Sequence, residues 1–215
     1  NLREVNSNHF LMNLFETIAE TLSFSEKARN SGKTIGFVPT MGALHQGHVS
    51  LIKYSLDNSD TTIASIFVNP TQFNNADDLK NYPRDVKKDL ELLEGVGCDA
   101  VFVPSVEEMY PEKDTRVFEF DGIDRIMECE HRPGHFNGVA QIVSKLFIAV
   151  KPDISFFGQK DFQQLAIIKK MVEKLKIPVQ IIACTIIREP DGLAMSSRNV
   201  LLTPEHRNVV ANIFK

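Results

Sequence analysis

Apolar and polar positions along the chain follow two alternating rhythms. Short runs rich in β-branched and aromatic residues recur at residues 34–38 (TIGFV), 61–69 (TTIASIFVN), 99–103, 153–157 and 179–187. They are apolar without clean alternation, the pattern of strands covered on both faces. Between them the spacing lengthens to three and four, predicting helices over residues 47–56, 83–94, 137–150 and 161–175. The third carries Val139, Ile142, Val143, Leu146, Phe147 and Val150 on one stripe, and Pro83 and Gly95 bracket the second. A helical pattern also begins at Met12 in MNLFETIAE. Thr203, Pro204 and Glu205 read as an N-cap, a first helical position and a first-turn acid. The helix they open leaves Val209, Val210 and Ile213 in need of a partner.

Alternating strands and helices predict an α/β fold: a Rossmann-like, doubly wound, mostly parallel sheet with right-handed crossover helices. In such sheets ligands bind at the carboxyl ends of strands, near the point where strand order reverses. Residues 12–187 are expected to form this domain. Residues 188–215 are expected to supply a motif loop and the first part of a smaller C-terminal domain that the chain cuts short. Residues 1–11 are polar and aperiodic, and are read as a tag remnant or an extra leader. Two segments, 69–82 (NPTQFNNADDLKNY) and 130–138 (EHRPGHFNG), suit neither element type, and long polar loops at strand ends are where function tends to sit.

Composition narrows the function classes. With 215 residues and 43% hydrophobic content the chain can bury one sizeable core. Its formal charge of −4 does not draw it as a whole to nucleic acid or an anionic membrane, so any polyanion must be gripped locally. No apolar run approaches the ~20 residues of a membrane span. Cys98, Cys129 and Cys184 are odd in number and scattered, which suits a reducing cytoplasm better than a disulfide framework.

Five constellations carry candidate chemistry. In VPTMGALHQGHVSL a strand ends at Pro39, Thr40-Met41-Gly42 turns, and Gln46-Gly47-His48 opens a helix. Free N–H groups and the positive dipole end at a helix start make an anion site, to which His45 and His48 can add donors. The pair could otherwise pack, run acid–base chemistry or hold a metal, although no HExxH or neighbouring carboxylate supplies a third ligand. In FFGQKDFQQ, Lys160 and Gln164 share a helix face, with Lys160 in reach of a phosphate or merely solvated. In GLAMSSRN, Ser196, Ser197 and Arg198 can bracket phosphate oxygens or form a plain serine-rich loop. In FVNPTQF, Asn69 and Gln72 offer neutral amides suited to a small polar acid, or simply a turn. In HRPGHFNG, Arg132 could pair an anion or pin its loop. No Ser/His/Asp or Cys/His set and no GxxxxGK[ST] loop is present. Phosphate donors with neutral amides suggest a bound substrate attacking a nucleotide phosphate, driven by positioning and charge stabilisation.

The motifs PTMGALHQGH, IFVNPTQF, YPRD, RPGHFNGV, FGQKDFQQ and GLAMSSRN, in that order, resemble the pantoate–β-alanine ligases of the nucleotidyltransferase superfamily. That resemblance implies ATP- and Mg²⁺-dependent joining of pantoate to β-alanine through a pantoyl adenylate, releasing AMP and pyrophosphate. It implies that ATP is bound by Met41, Gly42, Ala43, Leu44, His45, Gln46, Gly47 and His48. It adds Gly158, Gln159, Lys160, Asp161, Ile187, Met195, Ser196, Ser197 and Arg198 to the same task. His48 takes the proton-donor role, assisted by His45, Lys160 and Arg198. Gln72 holds pantoate and β-alanine, Gln164 holds pantoate, and Asn69 and Tyr82 support them. Asp89 is a candidate protein ligand of Mg²⁺, most of whose ligands are expected from the phosphates and water. The resemblance also implies a cytoplasmic homodimer with no nucleic-acid or membrane partner. Its members close a C-terminal lid over the site, so weak activity is expected of a chain ending at Lys215. The rival readings are another HxGH nucleotidyltransferase or a non-catalytic nucleotide-binding domain, and neither needs the paired amides of Gln72 and Gln164.

Overall fold

The computed structural model describes residues 12–213, so the reading of residues 1–11 as a leader lies outside the described residues. In chain order the elements are β1 (Asn13–Phe15), α1 (Ile18–Asn30), β2 (Ile35–Thr40), α2 (Gln46–Asn58), β3 (Thr61–Ile66), α3 (Ala76–Asn81), α4 (Val86–Gly95), β4 (Ala100–Phe102) and α5 (Val106–Met109). They continue with α6 (Glu128–His131), α7 (His135–Val150), β5 (Ile154–Gly158), α8 (Phe162–Leu175), β6 (Gln180–Cys184) and α9 (Pro204–Val210). Single 3₁₀ turns at Pro70–Gln72, Ile123–Arg125, Ser197–Leu201 and Ala211–Ile213 complete the list.

The six strands form one sheet in the order β1-β4-β3-β2-β5-β6, and every pairing is parallel. From β2 the chain winds one way through β3 and β4, then returns to the other side of β2 with β5 and β6. The reversal falls between β2 and β5, and the crevice beyond their carboxyl ends is where such sheets take ligands. The doubly wound expectation holds, with a wholly parallel sheet.

Period-two alternation within the strands splits the core into two layers. Ile35, Phe37, Ile63 and Phe102 face one side and pack on α7 and α8 through Val139, Ile142, Phe147, Ile167 and Ile168. Val38, Ala64, Val101 and Phe156 face the other and meet Leu51 and Ile52 of α2 and Leu93 of α4. Every residue of β3 is buried, its hydroxyl residues Thr61, Thr62 and Ser65 included, because both of its faces are covered.

Several boundaries differ from the sequence pattern. The helix expected from Met12 is preceded by β1: Asn13–Phe15 pairs with Ala100–Phe102, and α1 starts only after Thr17, whose side chain forms a capping box with Glu20. The helix expected from Pro83 begins at Val86, because Asp85 caps it by accepting from Lys88 N at 3.1 Å. The 69–82 loop contains a 3₁₀ turn and α3, and α6 and the start of α7 occupy 130–138. Thr203 caps α9 as expected, while Val209 and Ile213 are exposed.

Candidate active site

A cleft of about 240 Å³ opens at the β2/β5 reversal, lined by the loops after β2, β3, β5 and β6 and by the start of α7. It brings together five sequence-distant stretches, four at strand ends and one at a helix start.

The β2–α2 turn is built from an unusual cap. His45 is the N-cap of α2, and its Nδ1 accepts from Gly47 N at 3.1 Å. The His48 Nδ1 reaches back to accept from His45 N at 3.3 Å, so two imidazoles form a reciprocal capping box. The rings lie 4.1 Å apart between centroids. A ring nitrogen that accepts carries no proton, so each neutral ring bears its proton on Nε2. Burial, with the charge of Lys160 nearby, holds His45 below the usual imidazole range. Burial first, then His45 and Lys160, push His48 down to about 3. Gly47 makes this stacking possible, since a Cβ there would lie 2.8 Å from His45 Cε1.

The free helix-start N–H groups expected as the phosphate grip are therefore largely spent. Gly42 N donates to Thr40 Oγ1 at 3.1 Å, and Ala43 N and Leu44 N donate to the Asp89 carboxylate at 2.8 and 2.7 Å. Among the donors this turn still offers are the two imidazole Nε2–H groups. Lys160 lines the cleft after β5 and pairs with Asp161 at 2.8 Å.

The amide side of the cleft is a buried network. Asn69, 1% exposed, donates from Nδ2 to Gln72 Oε1 and to Gly138 O, both at 3.1 Å. Its Oδ1 accepts from Tyr110 OH at 2.8 Å and from Thr71 Oγ1 at 3.1 Å. Gln72 thus has its oxygen tied back and its Nε2 turned toward the weak acceptor Met41 Sδ at 3.1 Å. His135 Nδ1–H donates to Gln72 O at 2.7 Å and fixes the backbone of the same residue. Across the cleft Gln164 is half-buried and makes no side-chain hydrogen bond among the described residues.

The loop after β6 closes the wall. Ser197 Oγ donates to Ala43 O at 2.9 Å. Arg198 pairs with Asp78 of α3 at 3.0 Å and lies over the Tyr82 ring at 5.1 Å.

Residues 13–215 match the family model described as pantoate-beta-alanine ligase. The chain belongs to the pantoate–β-alanine ligase family. Within this family, a pantothenate synthetase from Porphyromonas gingivalis is 57% identical over 202 residues, covering 94% of this chain and 72% of the relative. One from Thermotoga petrophila is 50% identical over 204 residues, 95% of this chain and 73% of the relative. Among solved members, the Thermus thermophilus pantothenate synthetase superposes with a TM-score of 0.88 at 43% identity, covering 94% of this chain and 72% of that one. The Francisella tularensis ligase, complexed with beta-gamma ATP and β-alanine, gives 0.89 at 41% identity, covering 95% and 78%.

Of the residues that the family resemblance marked, Met41, His45, Gly47, His48, Asn69, Gln72 and Tyr82 line the cleft. So do Gly158, Lys160, Asp161, Gln164, Ile187 and Met195 to Arg198. Gly42, Ala43, Leu44, Gln46 and Gln159 do not. Asp89 also does not line it: at 3% exposure it braces the turn from behind, because both its oxygens accept backbone N–H groups. Tyr110, which carries Asn69, had no local signal in the sequence. His135 and Arg132 sit in HRPGHFNG, where the polar loop was visible but the partners were not; Arg132 pairs with Glu128 at 3.2 Å.

Proposed function

We propose that this chain condenses pantoate with β-alanine through a pantoyl adenylate. The pantoate carboxylate attacks the α-phosphorus of ATP, and the bond to the bridging oxygen breaks to release pyrophosphate. The β-alanine amine then attacks the acyl carbon, loses a proton, and displaces AMP. The observation that carries this reading is the meeting, at one switch-point cleft, of the His45–His48 helix start with the amides of Gln72 and Gln164. A phosphate grip beside two neutral amides suits a small hydroxy acid next to a nucleotide. The ATP and β-alanine named in the Francisella complex support the same substrates here.

In this reading the imidazole Nε2–H groups and Lys160 face the phosphates, and Met195 to Arg198 wall them in. Donors aimed at charge that develops in the transition state act strongly in a partly dry cleft. Gln72, whose Nε2 has only the weak acceptor Met41 Sδ, and Gln164 hold pantoate, and Gln72 also meets β-alanine. His48 acts as a neutral hydrogen-bond donor, since the proton it offers is the one on Nε2.

Mg²⁺ enters this reading as a passenger on the triphosphate. Octahedral Mg²⁺ can take most of its oxygen ligands from phosphates and water, whereas a protein-held site would add one or two free carboxylates. The cleft offers Glu128 and Asp161, each paired with a cation, and among the described residues no group of three or more His, Cys, Asp or Glu could hold a metal. No residue of this chain is assigned to the ion. A cytoplasmic homodimer completes the reading; the three free cysteines suit the reducing compartment. Among the described residues no helix is long and apolar enough to cross a membrane.

The test is pyrophosphate release with ATP as pantoate and β-alanine are added one at a time. Release that depends on pantoate supports the reading, and release indifferent to it sinks it.

A further inference from the structure

Asp89 performs a task that the chemistry of the cleft does not account for. Its carboxylate is buried at 3% exposure on the first turn of α4, and among the described residues it forms no salt bridge. Such a charge survives burial only if hydrogen bonds replace its water. Two backbone donors converge on it, Ala43 N on Oδ2 at 2.8 Å and Leu44 N on Oδ1 at 2.7 Å. They converge because Gly42 and Ala43 are both left-handed, with φ of +78° and +49°. Successive amides turned inward in this way make an anion-binding concavity. Elsewhere such a concavity takes a phosphate, and here the protein supplies the anion itself. Gly42 is required on both counts: a Cβ would meet Asp89 Oδ2 at 2.9 Å. The left-handed Ala43 is strained by roughly 1 kcal/mol or more and persists only if something holds it. Asp89 holds its N–H side and Ser197 its carbonyl side.

We propose that Asp89 is a positioning residue for catalysis: it locks residues 42–44, and through them sets both imidazoles and the docking point of the Ser197 loop. This rests on the ligase reading of the cleft. Asparagine cannot replace it, because one arm would oppose an N–H donor with its own NH₂.

The test uses the whole chain, uniformly ¹³C- and ¹⁵N-labelled, and its Asp89→Asn variant. Charge-assisted bonds should place the Ala43 and Leu44 amide protons downfield in the wild type and move both upfield in the variant. Turnover should fall on the order of 100-fold, the cost of misplacing catalytic groups, with KM for pantoate nearly unchanged, and added Mg²⁺ should not restore it. Unmoved amide signals, or turnover restored by Mg²⁺ as expected of a metal ligand, would overturn the proposal. If the variant does not fold, the wild type carries the test. Both amide signals must then move together with the Asp89 carboxyl ¹³C signal as pH falls, and independent movement overturns the proposal. The amide measurement needs no substrate. A chain that fails to release pyrophosphate with pantoate would therefore refute the ligase reading without touching the Asp89 result.

Discussion

His48 Nδ1 accepts from His45 N at 3.3 Å while His45 Nδ1 accepts from Gly47 N at 3.1 Å, so the two imidazoles cap one helix start and each other's backbone. Protonating either Nδ1 turns an acceptor into a donor facing another donor. The cap therefore exists only with both rings neutral. The folded-state value of His48, about 3, lies below the ordinary 6.5, so the unfolded chain binds the proton more readily. The contribution is fully present above about pH 6.5 and is lost as pH falls toward 3. Thermal unfolding across this window should show a steeper fall in Tm for the wild type than for His48→Gln, which has no titrating ring. Parallel slopes would remove the cap from the explanation.

Gly47→Ala separates stability from geometry. Alanine is a better helix former by up to ~1 kcal/mol, which offsets a cap loss of about the same size, so the melting temperature should stay close to that of the wild type. Its Cβ would stand 2.8 Å from the His45 ring and force that ring aside. Displacement on this scale is worth about 10²-fold in rate. Pyrophosphate release should drop by about that much in a protein whose melting temperature changes little. An unaffected rate would show that His45 placement is immaterial.

Arg198 is shared between Asp78 and the Tyr82 face, and its side chain is 42% exposed. A pair this open contributes about 0–1 kcal/mol, so Arg198→Ala should barely change the melting temperature. Its effect belongs to the nucleotide: KM for ATP should rise several-fold more than KM for pantoate. Arg198→Lys should not restore the loss, because a point charge cannot span Asp78 and the ring together. Recovery by lysine would reduce the residue to simple charge.

Asn69 and Gln72 should fail differently. Gln72→Ala removes the amide that faces the cleft and should raise KM for pantoate with ATP binding spared. Asn69→Ala leaves buried partners unsatisfied, at about 1–3 kcal/mol, and also frees the Gln72 amide to flip. It should lower both the melting temperature and turnover. Calorimetry and initial rates on the two variants would show whether one residue supports and the other binds; identical profiles would merge the two roles.

The sequence alone determined the architecture and the rough address of the site. Buried parallel strands must be apolar along their whole length, and crossover helices must be amphipathic, so 61–69 and 137–150 could be read locally. The motifs at strand ends were legible because turns and helix starts have local composition. Strand β1 was not, because three residues at a sheet edge carry no period, and only pairing with Ala100–Phe102 makes them a strand. The roles of the polar side chains lay beyond the sequence for a similar reason. Asp89 and Leu44 are 45 positions apart, and Tyr110 and Asn69 are 41 apart. A hydrogen bond across such a distance leaves no spacing to read. Tertiary structure alone decided that the helix-start amides are capped by imidazole, that Asp89 braces the turn rather than lining the cleft, and that Asn69 supports Gln72.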